Sequence, residues 1–277
     1  MFKICVIQLN SQDDKPANLR AIAAQIDSAV ALDRPDWILL PEHCEWLGGS
    51  SGAPDVAEPS VDGETYQMLS RLAVSHRVWI HGGSFYEQAG TAGRVHNTSV
   101  VFDRDGREAA RYRKIHLFDV TTADGARYHE SATVDAGDRI VTYDCEGITV
   151  GCSICYDVRF PELYQTLATR GADLITVPAA FTLMTGKDHW ETLLRARAIE
   201  TECWVAAAAQ WGRYPTPQGK RQSFGQSMVI DPWGQVVARV SDGTGIAAAR
   251  LDPALTARVR EQIPVFANKA LGTRVAT

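Results

Sequence analysis

Hydrophobic positions follow two different periods along the chain. In residues 18–32 the apolar side chains recur every three or four positions, which predicts an amphipathic helix. Residues 3–9 instead form a short apolar run, which is typical of a buried strand. The first pattern predicts helices over 18–32, 63–76, 161–171, 189–202 and 252–264. The second predicts strands over 3–9, 36–42, 78–86, 96–103, 108–116, 147–155, 173–181, 203–211, 223–240 (as two strands) and 245–251.

The order of these elements predicts the fold class. Strands alternate with helices, and the turn at 104–107 joins two strands as a hairpin. This order is typical of an α/β fold with a mixed sheet. We see no internal repeat, low-complexity segment or linker-like change of composition, so we interpret residues 1–277 as one domain. Residues 213–222 are predicted to form an exposed loop.

Composition excludes several classes of protein. The chain has 277 residues, of which 45% are hydrophobic, and its net charge of −5 gives no indication of a nucleic-acid partner. No stretch approaches the roughly 20 apolar residues of a membrane span, and the N-terminus is typical of a strand, not of a signal peptide. Six cysteines without a signal sequence favour free thiols in the reducing cytoplasm.

The stretch "GCSICYDVRFPELY" (151–164) contains two cysteines three residues apart. A metal clamp would need further cysteine or histidine ligands, and none stands at ligand spacing. On a strand the two would lie about 10 Å apart, beyond the roughly 7 Å that a disulfide allows. The two-residue period predicts Cys152 on the apolar face, as a core thiol. Cys155 lies on the polar face at the strand's carboxyl end, where a helix N-terminus can lower a thiol's pKa.

Two other strands also end in chemically active residues. "LLPEH" places Glu42 at the end of a buried strand, and "YRKIHLFD" places Lys114 at the end of another. Taken singly, Glu42 could begin a loop, Lys114 could be a solvated strand end, and Cys155 could be a packed cysteine. Together they supply a base, a cation and a nucleophile, each at a carboxyl end.

These three blocks, in this order, resemble the signature blocks of the carbon–nitrogen hydrolase (nitrilase) superfamily. The resemblance covers nearly the whole chain and implies a four-layer α-β-β-α sandwich. It implies that Glu42, Lys114 and Cys155 are catalytic, and that Glu130 in "YHES" is the second glutamate of the family. It also implies a homodimer or a higher homo-oligomer.

The resemblance implies a mechanism that needs no metal or organic cofactor. Cys155 attacks the amide carbonyl carbon, while Glu42 takes the thiol proton and gives it to departing ammonia. Lys114 and the backbone N–H of Tyr156 stabilise the oxyanion. Glu42 then activates the water that hydrolyses the thioester to a carboxylic acid. Glu130 orients Lys114 and the substrate.

Further residues of the signature are candidates for the pocket. Asp157 and Arg159 are predicted to pair and shape the turn after the nucleophile, with substrate contact as the alternative. Phe181, Thr182 and His189 follow a predicted strand and are expected at the pocket mouth, although Phe181 could equally be core.

Two histidines of the chain allow a different hydrolase mechanism as an alternative. His189 and His116 would allow a Cys–His mechanism, in which Glu42 and Lys114 would be incidental.

The later stretches are most similar to the Nit branch, and within it to deaminated-glutathione amidase, with ω-amidase next. N-carbamoyl amino acid amidohydrolases, nitrilases and a non-catalytic scaffold member are the alternatives. Segments 43–55 and 268–277 depart from the branch pattern. The expected partner is a small amide that carries carboxylates, with neither nucleic acid nor membrane. A pocket cation besides Lys114 is therefore expected, and the candidates are Arg159, Arg213, Lys220 and Arg221.

Overall fold

The computed structural model describes residues 2–122, 125, 127–217 and 219–270. The last seven residues of segment 268–277 lie outside the described residues. The helices are α1 (Lys15–Asp33), α2 (Ala53–Val56), α3 (Glu64–His76), α4 (Pro161–Thr169), α5 (Leu183–Thr201), α6 (Pro253–Gln262) and α7 (Val265–Asn268). The strands are β1 (Phe2–Gln8), β2 (Trp37–Leu39), β3 (Trp79–His81), β4 (Phe85–Gln88), β5 (Val95–Phe102), β6 (Glu108–Arg113), β7 (Asp119–Thr121), β8 (Arg127–His129), β9 (Thr142–Cys145), β10 (Ile148–Gly151), β11 (Leu174–Thr176), β12 (Trp204–Ala207), β13 (Trp211–Thr216), β14 (Gly219–Phe224), β15 (Met228–Ile230), β16 (Val236–Arg239) and β17 (Gly245–Leu251).

Two mixed sheets form the centre of the molecule. The first has the order β17-β1-β2-β3-β5-β4, with β6 added to β5. The second has the order β16-β15-β12-β11-β10-β9. In each sheet the parallel strands lie at the centre and antiparallel strands lie at the edges.

Side chains that alternate along β1 pack into two different layers of the core. Ile4 and Val6 face the second sheet and belong to the large core cluster, whereas Cys5 and Ile7 pack with α1 and α3. Helices α4 and α5 cover the outer face of the second sheet through residues such as Leu167. The fold is therefore the four-layer α-β-β-α sandwich that the resemblance implied.

Some of the polar contacts between the two sheets are buried. The Trp37 indole N–H donates to the Tyr143 hydroxyl across the sandwich at 3.0 Å. His81 lies 3.2 Å from the same hydroxyl. These bonds satisfy polar groups that would otherwise lose their water on burial.

Several predicted boundaries were wrong. Residues 213–216 and 219–222 belong to the antiparallel pair β13–β14, because Tyr214 is buried against the body and holds the hairpin down. Helix α5 begins six residues earlier than predicted, since Thr182 caps it by accepting from the N–H of Thr185. Strands β7, β8 and β9 were not predicted.

Strand direction brings several carboxyl ends together. β2 and β6 run the same way in the first sheet, as do β10 and β11 in the second. The segments that follow these four strands meet at one edge of the sandwich. In the part of the chain that the structure describes, no helix is long and apolar enough to cross a bilayer.

Candidate active site

Cys155 stands at the tight turn after β10. Its φ of 49° lies in the left-handed region, which is costly for a residue other than glycine and is frequent at functional sites. Its backbone N–H donates to the Pro178 carbonyl at 2.9 Å, and the 3₁₀ helix Cys155–Arg159 follows. The predicted difference between the two cysteines is confirmed in part: Cys152 is fully buried in the core, and Cys155 lines a pocket.

Glu42, Lys114 and Glu130 form a buried charge cluster beside that thiol. The Lys114 Nζ lies 2.8 Å from the Glu42 Oε1 and 2.9 Å from the Glu130 Oε2. Each of the three residues is at most 6% exposed. Two carboxylates and one ammonium leave the cluster with a net charge of −1 if all three are ionised.

Neighbouring groups fix this cluster, and sequence reasoning missed them. The Asn97 amide donates to Glu42 Oε1 at 2.9 Å and to Glu130 Oε1 at 3.3 Å. The Ala180 N–H donates to Glu42 Oε2 at 2.9 Å, and the Phe118 N–H donates to Glu130 Oε2 at 2.7 Å. Asn97 lies among the polar residues 96–99 at the start of β5, so no break in an apolar run marked it in the sequence.

The electrostatics of the cluster favour an ionised Glu42. Burial alone would raise its pKa, but the Lys114 ammonium, His43 and a hydrogen bond from the Cys155 thiol lower the pKa of Glu42 to about 2. Burial would likewise lower the pKa of Lys114, but Glu130 and Glu42 raise it well above its ordinary value.

The prediction of a lowered thiol pKa was wrong. Burial and the adjacent Glu42 carboxylate raise the pKa of Cys155 well above its ordinary value, and Lys114 only partly offsets them. A 3₁₀ helix of five residues follows the thiol, with α4 beginning at Pro161. The resting site therefore holds a thiol beside a carboxylate.

A pocket of about 720 Å³, including its open mouth, lies above these groups. Four of the five predicted substrate-binding residues line it: Tyr156, Arg159, Phe181 and Thr182. His189 does not; it is exposed on α5, with its Nδ1 3.3 Å from the Arg159 guanidinium. The full lining is Glu42, His43, Leu47, Gly49, Tyr86, Lys114, Phe118, Tyr128, His129, Glu130, Cys155, Tyr156, Arg159, Ala180, Phe181, Thr182, Thr185, Tyr214 and Arg221.

The predicted ion pair between Asp157 and Arg159 is absent. Asp157 is fully buried and accepts from Tyr112 and His116 instead. Arg159 points to the pocket, where its guanidinium lies 5.3 Å from the centre of the Phe181 ring. The buried Asp157 carboxylate therefore holds the turn, and the Arg159 side chain faces the pocket.

Of the predicted carboxylate-binding cations, two line the pocket and two do not. Arg159 and Arg221 are lining residues, whereas Arg213 and Lys220 lie on the exposed side of the hairpin. Arg221 stacks on Tyr128 with 4.0 Å from its guanidinium carbon to the ring centre. No described carboxylate lies within 4.0 Å of either pocket arginine. Only one side of hairpin β13–β14, the side that carries Arg221, faces the pocket.

The comparisons with known proteins agree with this geometry. The carbon–nitrogen hydrolase family model matches residues 3–261. The chain belongs to the carbon–nitrogen hydrolase family. It is 42% identical over 267 residues to a deaminated glutathione amidase of Synechocystis sp., covering 95% of this chain and 96% of the relative. It is 37% identical over 270 residues to the omega-amidase NIT2 of Homo sapiens, covering 97% and 95%.

Solved structures share the fold of this hydrolase. The NitFhit protein of C. elegans superimposes with a TM-score of 0.89 at 39% identity, over 97% of this chain and 65% of that fusion protein. Nit3 of Saccharomyces cerevisiae gives a TM-score of 0.86 at 31% identity, over 97% and 96%. The chain is an amidase of this family, which acts on carbon–nitrogen bonds other than peptide bonds.

The histidines do not form a Cys–His pair in this hydrolase. His116 is bonded to Asp157, and neither His116 nor His189 lines the pocket. The pocket histidine next to the cluster is His43, whose Nε2 lies 3.7 Å from Glu42 Oε1. It stacks on Tyr86 with 4.7 Å between ring centres. Burial lowers the pKa of His43, so its imidazole is neutral at pH 7.

One group of side chains in the site has the composition of a metal-binding set. Ligand atoms of Glu42, His43 and Glu130 lie within 4.8 Å of one another. The Lys114 ammonium bonds to both carboxylates, so an internal cation already occupies the space between them. These residues therefore do not fit a divalent ion.

Proposed function

We propose that this amidase hydrolyses a small amide that carries carboxylate groups, through a thioester on Cys155. The observation that carries the proposal is the position of the Glu42 carboxylate, buried between the Lys114 ammonium and the Cys155 thiol. Glu42 is the general base and acid, Lys114 binds the oxyanion, and Glu130 orients Lys114.

The charges of the site favour a concerted first step. The thiol keeps its proton until substrate arrives, because the pKa of Cys155 is raised by burial and by Glu42. As sulfur attacks the carbonyl carbon, the proton passes to Glu42, and negative charge develops on the carbonyl oxygen beside Lys114. The backbone N–H of Tyr156 is a second donor for that oxygen.

Collapse of the intermediate completes the cycle. Glu42 gives its proton to the departing nitrogen, which leaves as ammonia from a primary amide or as an amine from a substituted one. Water, deprotonated by Glu42, then hydrolyses the thioester, and Glu42 returns the proton to the departing Cys155 sulfur as the acid is released.

Pocket charge supports a carboxylate-bearing substrate. The catalytic cluster is negative, so an anionic substrate needs other cations near it. Arg159 and Arg221 line the pocket and have no described acidic partner within 4.0 Å. Together with the relatives, this favours deaminated glutathione as the substrate, with α-ketoglutaramate as the second candidate.

The test is a substrate panel in which the hydrolysis products of each substrate are measured by mass spectrometry. It contains deaminated glutathione, α-ketoglutaramate, an N-carbamoyl amino acid and a simple nitrile. We expect turnover of the first two, none with Cys155→Ala, and near wild-type activity with Cys152→Ala, the matched core cysteine. Turnover of the nitrile alone, or equal rates for wild type and Cys155→Ala, would refute the proposal.

A homodimer and a cytoplasmic location stay predictions. Sedimentation analysis of the free enzyme tests the dimer independently of activity.

A further inference from the structure

Asp157 lies in the 3₁₀ helix that begins at the nucleophile, and its carboxylate accepts four hydrogen bonds. It is fully buried, and each of its oxygens accepts twice. Oδ2 accepts from the Tyr112 hydroxyl at 2.7 Å and from the Ile154 N–H at 2.8 Å. Oδ1 accepts from the His116 N–H at 3.0 Å and from its Nδ1 at 2.7 Å.

These four donors come from the two segments that carry the reacting groups. Tyr112 and His116 stand two residues before and two residues after Lys114. Ile154 immediately precedes Cys155. The carboxylate thus joins the end of β6, in one sheet, to the turn after β10, in the other.

The geometry of each segment shows what this junction holds. The backbone of Cys155 is in the left-handed region at a φ of 49°, a strained conformation that persists only where its surroundings fix it. The His116 ring stacks on Phe160 with 3.7 Å between ring centres, so its Nδ1 is aimed at Asp157. A buried carboxylate is itself costly and is retained only where its hydrogen bonds repay the loss of water.

We propose that Asp157 is a positioning residue, which sets the separation between the Lys114 ammonium and the Cys155 thiol. This inference rests on the proposed function, because it assigns those two groups to the reaction. Asp157 touches neither substrate nor the reacting atoms, and it acts through the backbone of residues 154–156 and 114–116.

The experiment compares Asp157→Asn with Asp231→Asn. Asp231 is a matched buried aspartate that accepts from the N–H groups of Trp233 and Gln235 in a distant turn. An asparagine at 157 has a single acceptor oxygen, so it must lose either the bonds from His116 or those from Tyr112 and Ile154, and the turn moves. We expect kcat to fall about 10- to 100-fold with KM within about threefold, since misplacement of about 1 Å costs that much. Asp231→Asn leaves kcat unchanged.

Alkylation by iodoacetamide separates positioning from mere stabilisation. The other five cysteines are fully buried, and a Cys155→Ala control identifies the labelled site. In Asp157→Asn the rate at Cys155 falls at least about tenfold, because the displaced thiol, which is protonated at rest, can no longer pass its proton to Glu42 as the sulfur attacks. A rate equal to or above that of wild type overturns the proposal, whatever happens to turnover.

This readout is independent of the substrate. If no amide of the panel is hydrolysed, the proposed function fails, while alkylation still decides the role of Asp157. If Asp157→Asn does not fold, His116→Phe and Tyr112→Phe each remove one donor and keep an aromatic ring. Both must then slow alkylation, and wild-type rates in both would overturn the proposal.

Discussion

The two carboxylate oxygens of Glu42 have different hydrogen-bond partners. Oε1 accepts from Lys114 and Asn97, which hold the charge, and Oε2 accepts from the Ala180 N–H beside the thiol. Its backbone carbonyl accepts from the Gln210 amide at 3.0 Å, so the segment after β2 cannot turn away. One oxygen therefore keeps the group in place and the other is available for proton transfer.

Replacing Glu42 by glutamine tests this division. The amide keeps the shape but cannot accept the thiol proton, so we expect kcat to fall by about 10²–10⁴-fold. Lys114 retains its ion pair with Glu130, so the variant should stay folded. The control is Glu261→Gln, an exposed change on α6, with wild-type turnover. A variant within about threefold of wild-type kcat would exclude Glu42 as the base.

The pKa shifts of the cluster predict a flat pH profile. Glu42 is ionised above about pH 2, and Cys155 and Lys114 keep their protons well above their ordinary pKa values. The reactive protonation state therefore persists through neutrality. We expect kcat/KM to change by less than about threefold between about pH 6 and pH 9. A limb with a midpoint near neutrality would contradict the assigned protonation states.

At the scale of elements, hairpin β13–β14 shapes the open side of the pocket. Tyr214 is buried and lines the pocket, and the Arg221 guanidinium donates to the Arg127 carbonyl at 2.9 Å. The hairpin is anchored below by the Phe224 N–H, which donates to the Phe181 carbonyl at 2.9 Å. It thereby presents one cation to the pocket from a rigid support.

Arg221→Gln should weaken the binding of carboxylate-bearing amides. We expect KM for deaminated glutathione to rise about 10-fold or more with kcat little changed, because a charge-assisted hydrogen bond is worth about 1.5–3 kcal/mol. Lys220→Gln, on the exposed side of the same hairpin, is the matched control and should leave KM unchanged. Equal KM values for wild type and Arg221→Gln would assign the carboxylate to another group.

Periodicity predicted the elements whose side chains alternate, and it failed where tertiary contacts decide. The period of two separated Cys152 from Cys155, because strand geometry is local. The hairpin was missed, since its prolines, glycine and charges are also typical of loops, and only the burial of Tyr214 distinguishes the two. The side chains of Tyr112 and His116, which bond to Asp157, lie 45 and 41 residues away in sequence, so no local pattern could choose them over Arg159.

At the scale of the whole molecule, one buried carboxyl links stability to pH. Glu45 is fully buried behind the pocket wall, where Oε1 accepts from the Tyr86 N–H at 2.9 Å and Oε2 has no described partner. Desolvation raises the pKa of Glu45 to about 8, against an ordinary value of 4.5. The group is thus neutral in the folded protein at pH 7 and ionised in the unfolded chain.

Because the pKa of Glu45 is higher in the folded protein than in the unfolded chain, this residue makes the fold less stable as pH rises. The unfolded chain loses the Glu45 proton as pH rises through about 4.5, whereas the folded protein holds it until about pH 8. The stabilising contribution is complete below about pH 4.5 and is lost as pH rises through 8. His81 acts oppositely, because burial lowers its pKa to about 3 and its stabilising contribution is lost as pH falls below about 6.5.

Glu45→Gln should remove the Glu45 contribution to this pH dependence. Glutamine is neutral in both states and can still accept from Tyr86, so its free energy of unfolding should fall less between about pH 6.5 and pH 8. The difference from wild type should change by on the order of 1–3 kcal/mol across that window, in favour of the variant at the higher pH. Urea denaturation at both pH values measures it, and the comparison cancels the histidines. Parallel curves for the two proteins would mean that Glu45 is ionised in the fold, and its buried Oε2 would then need a partner.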